Sequence, residues 1–530
     1  MRRRCFYAGG KGQCPLPGHV AGRSLRPFTK ESDMHRLLIA ILCLLVLPAP
    51  AATPEFRAGA HAEPITPSRL PSPINGGMRG AFAATVHDPM LARSFALADG
   101  RRELIFTVVD SCMVPREVSE QAKAIASRAT GVPTSSMLIS ATHTHYAATM
   151  TPVFQSDPDP EYLATLPTLI ARSIIQAHRN LEPAEIAWGK GADPSQLFNR
   201  RWLLKPGQQY TNPLGGTSDR VKMNPGFQNP QVSHPVGPID PEITIIAARA
   251  VSDQRPLALL ANYSLHYVGG YPAISADYFG VFATRISRLL EADGERYAGK
   301  PPFVGIMSNG TSGDVNNVNY AGPARKDGYP GEQLERVAQS VAAATLEAYA
   351  SLTFHRHLPI ASAESDLRLR VRKATSAELE RARTLVEKSP RGSDGQLSDQ
   401  AAIYAREALL LDLYPPQVPV RLQVHRLGEL SIAAIPCEVF TAIGLELKSR
   451  TPFEGHFTIS LANGYNGYLP TPAQHRLGGY ETWRARSSYL ETDASEKIVG
   501  ELRRLMQSLR NGPGDRERGA ATSARRSKGN

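Results

Sequence analysis

Cysteine is scarce in this sequence: five residues in 530, with only Cys112 and Cys437 beyond position 43. Two cysteines so far apart form neither a C-x-x-C metal knuckle nor a disulfide framework, and whether they pair with each other is open. No uninterrupted apolar run approaches the roughly 20 residues of a membrane-spanning helix. There is no Ser/Gly linker, heptad run or internal repeat to divide the chain. Signature motifs are missing as well. H-E-x-x-H, G-x-x-x-x-G-K-[ST] and a G-x-G-x-x-G after a strand do not occur. The loop Gly310-Thr-Ser-Gly-Asp is not the G-x-S-x-G elbow of a serine hydrolase.

Positive charge is plentiful but badly placed for binding nucleic acid. Residues 1–52 carry eight Lys/Arg against two Asp/Glu, and residues 511–530 carry five against two. About +2 of the formal +11 is left for everything between, so a nucleic-acid partner is not expected. From Met34 a short basic region leads into Leu37–Leu47, which is almost wholly apolar, and then to Ala49-Pro50-Ala51. This is the pattern of a secretory signal. The expected organisation is a leader over 1–33 ahead of the native start, a signal peptide over 34–52, one domain over 53–510, and a disordered basic tail over 511–530. The product is expected to be secreted or periplasmic.

Periodicity gives an α/β chain. Strands are expected at Leu104–Val109, Met137–Ser140, Ile243–Val251, Leu257–Leu265, Phe303–Met307, Leu427–Ile435 and Phe457–Leu461. Helices are expected at Pro115–Ala129, Tyr162–Asn180, Phe279–Ala292, Gln333–Ala350, Ala377–Glu387, Gln400–Leu413 and Glu496–Leu509. The fold class is therefore mixed, twisted β-sheets flanked by helices. The stretch from Leu203 to Asp240 is rich in Gly, Pro and Asn, has no period, and reads as a long functional loop.

Five of these strands finish in residues that can bind ligands. Met137-Leu-Ile-Ser runs into His143-Thr-His145, and Leu257–Leu265 stops at His266. Phe303–Met307 leads to Gly313-Asp314, Leu430–Ile435 leads to Glu438, and Phe457–Leu461 leads to Asn463-Gly-Tyr-Asn-Gly-Tyr468. Strand ends are where sites assemble in α/β folds. On an extended chain His143 and His145 would share a face about 7 Å apart, which suits one ligand plus a neighbouring acid/base group, or two ligands if the chain bends. Singly, each of these residues is as readily a structural or surface side chain; their coincidence at strand ends points to a metal site.

Together, S-A-T-H-T-H (140–145), the lone His266, P-x-E-x-F (436–440), and Gly467-Tyr468 followed twelve positions later by Tyr480-Glu481 resemble the neutral/alkaline, non-lysosomal ceramidase family. The resemblance runs from an opening strand at Ala62–Pro67 to Trp483. It implies one zinc ion per chain held by His143, His266, Glu438 and Tyr468. It also implies that His145 lines the site and that Arg200 and Tyr480 serve catalysis. Two features depart from the family. Asn316 stands where the family carries an active-site serine, which puts ceramide itself in question, and the C-terminal immunoglobulin-like domain of larger members has no counterpart.

The implied chemistry is hydrolysis of a small-molecule or lipid amide by metal-activated water, with His145 relaying a proton and Arg200, Tyr480 and Asn316 stabilising an oxyanion. A non-lipid amide or ester on the same site and a non-catalytic secreted binding protein are the alternatives. A lipid amide would bring peripheral contact with a membrane. The oligomeric state is open.

Overall fold

The computed structural model describes residues 55–292 and 294–511. The leader and signal expected over 1–52, and the tail beyond Asn511, lie outside the described residues. Two sheets form the centre. The larger has eight strands in the spatial order Val304–Asn309, Pro256–Tyr263, Glu242–Ala250, Glu182–Ala192, Arg57–Pro64, Leu91–Ala98, Glu103–Val109, Met137–Ala141. The smaller runs Ile360–Arg370, Gln417–Leu427, Leu430–Ala434, Gly455–Ile459.

Alternation along the strands sets the layers. In Leu91–Ala98, Phe95 and Leu97 face the core between the two sheets, while Ala92 and Ala96 face a second core under the helices Arg116–Thr130 and Pro160–Arg179. Ile432, Phe457 and Ile459 of the smaller sheet complete the inter-sheet core. Helices Asp277–Leu289 and Glu332–Ala350 cover the other half of the large sheet, and Ala494–Arg510 covers the outer face of the small one. The result is four layers, helix–sheet–sheet–helix.

Within these two sheets most pairings are antiparallel, but three are parallel: Glu103–Val109 with Met137–Ala141, Pro256–Tyr263 with Val304–Asn309, and Leu430–Ala434 with Gly455–Ile459. The two sheets are stitched where these strands end. Ala141 N bonds Leu461 O at 3.2 Å, Ser460 N bonds Asn309 O at 3.0 Å, and Asn463 N bonds Ile139 O at 2.7 Å. The carboxyl ends of separate strands therefore converge on one place.

Three sequence expectations need correction. Leu427–Ile435 is not one strand, because Gly428 takes φ +58° and turns the chain between Gln417–Leu427 and Leu430–Ala434. The opening strand lies earlier than expected, at Arg57–Pro64, where it pairs with Leu91–Ala98 throughout. The Leu203–Asp240 stretch is not structureless, since Arg201–Leu204, Val221–Met223 and Val232–Pro235 form a small three-stranded sheet. Its short strands offered no apolar alternation to read.

Candidate metal centre

Beyond Ala141 the chain stops being extended. Thr142 N bonds Val109 O at 3.0 Å, His143 N bonds Ser111 O at 2.8 Å, and His143 takes φ +74°. Positive φ in a non-glycine residue costs on the order of 1–3 kcal/mol and persists where surroundings impose it, commonly at functional sites. The ring is held too, with Nδ1 lying 2.8 Å from the Cys112 carbonyl oxygen. That oxygen can only accept, so Nδ1 carries a proton and Nε2 is the nitrogen left to face Glu438. This turn overturns the expected 7 Å separation. The Nε2 atoms of His143 and His145 lie 3.4 Å apart with their rings edge to face.

His266, after Pro256–Tyr263, brings its ring centroid to 4.5 Å from that of His143 and 5.3 Å from that of His145. Glu438 lies four residues past Leu430–Ala434 of the smaller sheet and sets Oε2 at 3.2 Å from His143 Nε2. Ligand-type atoms of His143, His266 and Glu438 all lie within 4.8 Å of one another, and all three residues are buried. Cys112, His143 and His145 make a second, overlapping group. Glu438 and Tyr468 are direct partners in a short parallel bridge, which places Tyr468 beside the carboxylate. Cys112 and Cys437 are both free and buried, so they do not pair.

Electrostatics separates the three histidines. Burial, then the charges of His143 and Arg200, push His145 well below its usual pKa. Burial, Arg200 and the other two histidines do the same to His266. Burial also works against protonated His143, but Cys112 and Glu438 outweigh it and raise its pKa well above the usual value. Burial would raise Glu438; His143 and Arg200 reverse that and keep it a carboxylate. Burial and Glu438 hold the Tyr468 phenol far above its ordinary range.

These groups fit a divalent cation. An unprotonated imidazole nitrogen and a carboxylate oxygen 3.2 Å apart repel unless a proton or a cation lies between them, and among the described residues Glu438 Oε2 is buried without a hydrogen-bond partner. Two imidazoles, a carboxylate and a phenol oxygen are borderline-hard donors of the kind zinc accepts, although a tyrosinate is unusual for it. Arg200 lies close to this set. Its Nη1 is 3.5 Å from His266 Nε2, Nη2 donates to Tyr468 Oη at 3.2 Å and to Gly313 O at 2.9 Å, and Nε is 3.3 Å from Glu481 Oε1. Glu438 and the fully buried Glu481 offset its charge.

Of the residues the sequence singled out, His143, His145, Glu438, Tyr468 and Tyr480 line one cavity of about 30 Å³, room for little more than an ion and a water. His266 and Arg200 contact two of the lining side chains, His143 and Tyr468 respectively. Asn316 stands apart: its amide donates to Asn224 Oδ1 at 3.0 Å and accepts from Val318 N at 3.0 Å.

Other members of the site were not read from the sequence. Tyr465 donates to Glu438 Oε1 at 3.0 Å, and Tyr267 stacks on His145 at 3.8 Å between centroids. Glu481 joins Arg200 to the fully buried Arg201. Each is adjacent or close to a residue already identified, and neighbourhood was their only signal. Gly76 had none. It has φ +118°, and a Cβ there would fall 2.2 Å from His145 Nδ1.

No protein-family model matches this chain, and no curated protein matches it by sequence. Solved structures do match in fold. A crystal structure of neutral ceramidase from Pseudomonas aeruginosa aligns with a TM-score of 0.63 at 15% identity, covering 86% of this chain and 74% of that one. A ceramidase complexed with C2 aligns with a TM-score of 0.64, also at 15% identity, covering 86% and 75%. The chain shares the fold of these neutral ceramidase structures.

Proposed function

We propose that this chain is a secreted zinc-dependent hydrolase that cleaves an amide bond, in the manner of a neutral ceramidase, with one zinc ion per chain. The observation that carries the reading is the convergence of His143, His266 and Glu438 from three strand ends, with Tyr468 bridged to Glu438. Bound zinc supplies Lewis acidity and lowers the pKa of water toward 7.

The chain's own residues do the rest. Tyr465 fixes one carboxylate oxygen of Glu438 so that the other faces His143. Arg200 holds the Tyr468 hydroxyl in place and keeps the cluster's charge balanced. Tyr480 lines the cavity with its ring 5.8 Å from that of Tyr468, placed to donate to a carbonyl oxygen as charge develops on it. His145 Nε2 stands next to the ligand group, positioned to take a proton from water and return it to the leaving nitrogen. Water adds across the C–N bond, leaving a carboxylate and an amine.

A second reading keeps the site and changes the substrate to a non-lipid amide or an ester. Its support is Asn316, whose amide is engaged by Asn224 and Val318 rather than turned into the cavity. Zinc analysis joined to a panel of N-acyl-sphingosine, N-acyl amino acid and short ester substrates separates the two. Turnover of the first class alone supports the ceramidase-type reading, and turnover of the others alone supports the second.

A further inference from the structure

A second cavity, of about 250 Å³, lies apart from the site cavity and shares no lining residue with it. Phe198 lines it. Phe198 pairs with Asn316, and two residues on, the Arg200 amide bonds Asp314 O at 2.9 Å. Residues two apart on an extended chain share a face, about 7 Å apart. The Phe198 that lines the cavity is thus two residues along the chain from Arg200, which donates to Tyr468.

Its lining is aromatic and rich in carboxamides: Phe198 and Phe227 with Gln196, Asn317, Asn319 and Gln333. The two arginines on its rim are already neutralised, Arg325 by Asp327 at 2.8 Å and Arg336 by Glu332 at 2.7 Å, so a charged ligand is not called for. Two of the carboxamides have unused capacity. Asn317 is 5% exposed and makes no side-chain hydrogen bond among the described residues. Gln333 is 6% exposed; its Nε2 reaches Gln196 Oε1 at 3.3 Å, but its Oε1 is buried without a partner. Gln333 thus offers an unpaired buried acceptor and Asn317 an amide that can donate and accept, so a partner with both capacities suits the pair. Phe227, 41% exposed and tilted against Tyr320, adds a flat apolar face. A polyhydroxylated ring meets all of these needs: its hydroxyls both donate and accept, and its C–H face packs on a phenyl ring.

Building on the amide-hydrolase reading, we propose that this cavity is a head-group subsite for an uncharged polyhydroxylated group, a sugar or polyol, carried by the substrate near its scissile amide. The first test is direct binding of methyl β-D-glucoside, measured by saturation-transfer NMR and calorimetry on the full chain, with circular dichroism confirming the fold of each variant. Saturable binding that weakens at least tenfold in both Asn317→Ala and Gln333→Leu is expected. No binding to the wild type, or equal binding to the variants, overturns the proposal. The second test compares kcat/KM for an N-acyl-sphingoid with and without a 1-O-glucosyl group. The ratio should fall at least tenfold in Asn317→Ala, and an unchanged ratio overturns the subsite. If neither substrate turns over while glucoside binding still depends on Asn317, it is the amide-hydrolase reading that fails, and the cavity remains a polyol site.

Discussion

The Tyr465 hydroxyl donates to Glu438 Oε1 at 3.0 Å, and the other oxygen of that carboxylate stands 3.2 Å from His143 Nε2. One tyrosine thus decides which oxygen is free to face the histidines. Replacing an outer partner of this kind typically costs about 10–100-fold in metal affinity. Tyr465→Phe should lower zinc affinity by that factor in competition with a chelator while leaving the fold intact. Unchanged affinity would mean the carboxylate is oriented by something else.

Gly76 is the constraint on His145. With φ +118° and a Cβ that would lie 2.2 Å from His145 Nδ1, Gly76→Ala must displace either the ring or the loop. Turnover should fall by at least about tenfold with the zinc content retained, since the ring that moves is not a proposed ligand. Loss of zinc in this variant would show that His145 coordinates.

The Arg201–Glu481–Arg200 chain is a buried charge network, with Arg201 and Glu481 fully enclosed. Removing one member leaves an uncompensated charge, at a cost of about 3–5 kcal/mol. Arg201→Met should destabilise by that order in urea unfolding. Glu481→Gln should be as damaging and should also lower activity, because it releases Arg200. A loss below about 1 kcal/mol in both would show that water reaches the pair.

How much of this was visible in the sequence varies with the kind of signal. Strands such as Leu104–Val109 and helices such as Tyr162–Asn180 came through within a residue or two, because continuous apolar runs and 3.6-residue spacing are local properties. His143, His266, Glu438 and Tyr468 were legible as residues that end strands, but the reading of Tyr468 as a proposed ligand came only from family resemblance. The mutual placement of His143 and His145 was not legible. It depends on a left-handed turn held by the carbonyls of Ser111 and Cys112, which are distant in sequence. Glu182–Ala192 and Ile360–Arg370 were missed because their exposed positions carry charge and glycine instead of a clean alternation.

His425 gives a pH dependence that does not involve the site. It packs edge-on against Phe106, and among the described residues neither ring nitrogen has a hydrogen-bond partner. Burial, aided by Lys123, pushes its pKa down from 6.5 to about 3. The unfolded chain takes up this proton first, so stability is complete above pH 6.5 and is lost as pH falls toward 3. The slope from this one residue is about 1.4 kcal/mol per pH unit. His425→Leu should flatten the acid limb of stability between pH 6 and 4 by about that slope in urea titrations. An identical acid limb in the variant would show that His425 finds a partner or solvent in solution.

The central claim is that His143, His266 and Glu438, joined by Tyr468, hold a single zinc ion beside a proton-handling His145. The most direct measurement is zinc per chain after mild dialysis, taken together with turnover, for the wild type, His143→Ala, Glu438→Gln and His145→Ala. The account predicts close to one zinc in the wild type and little in His143→Ala or Glu438→Gln. It predicts a full complement in His145→Ala, with turnover lowered by about 10²–10⁴-fold. A wild type without zinc, or a His145→Ala protein that is zinc-free beside a zinc-replete His143→Ala, would contradict it.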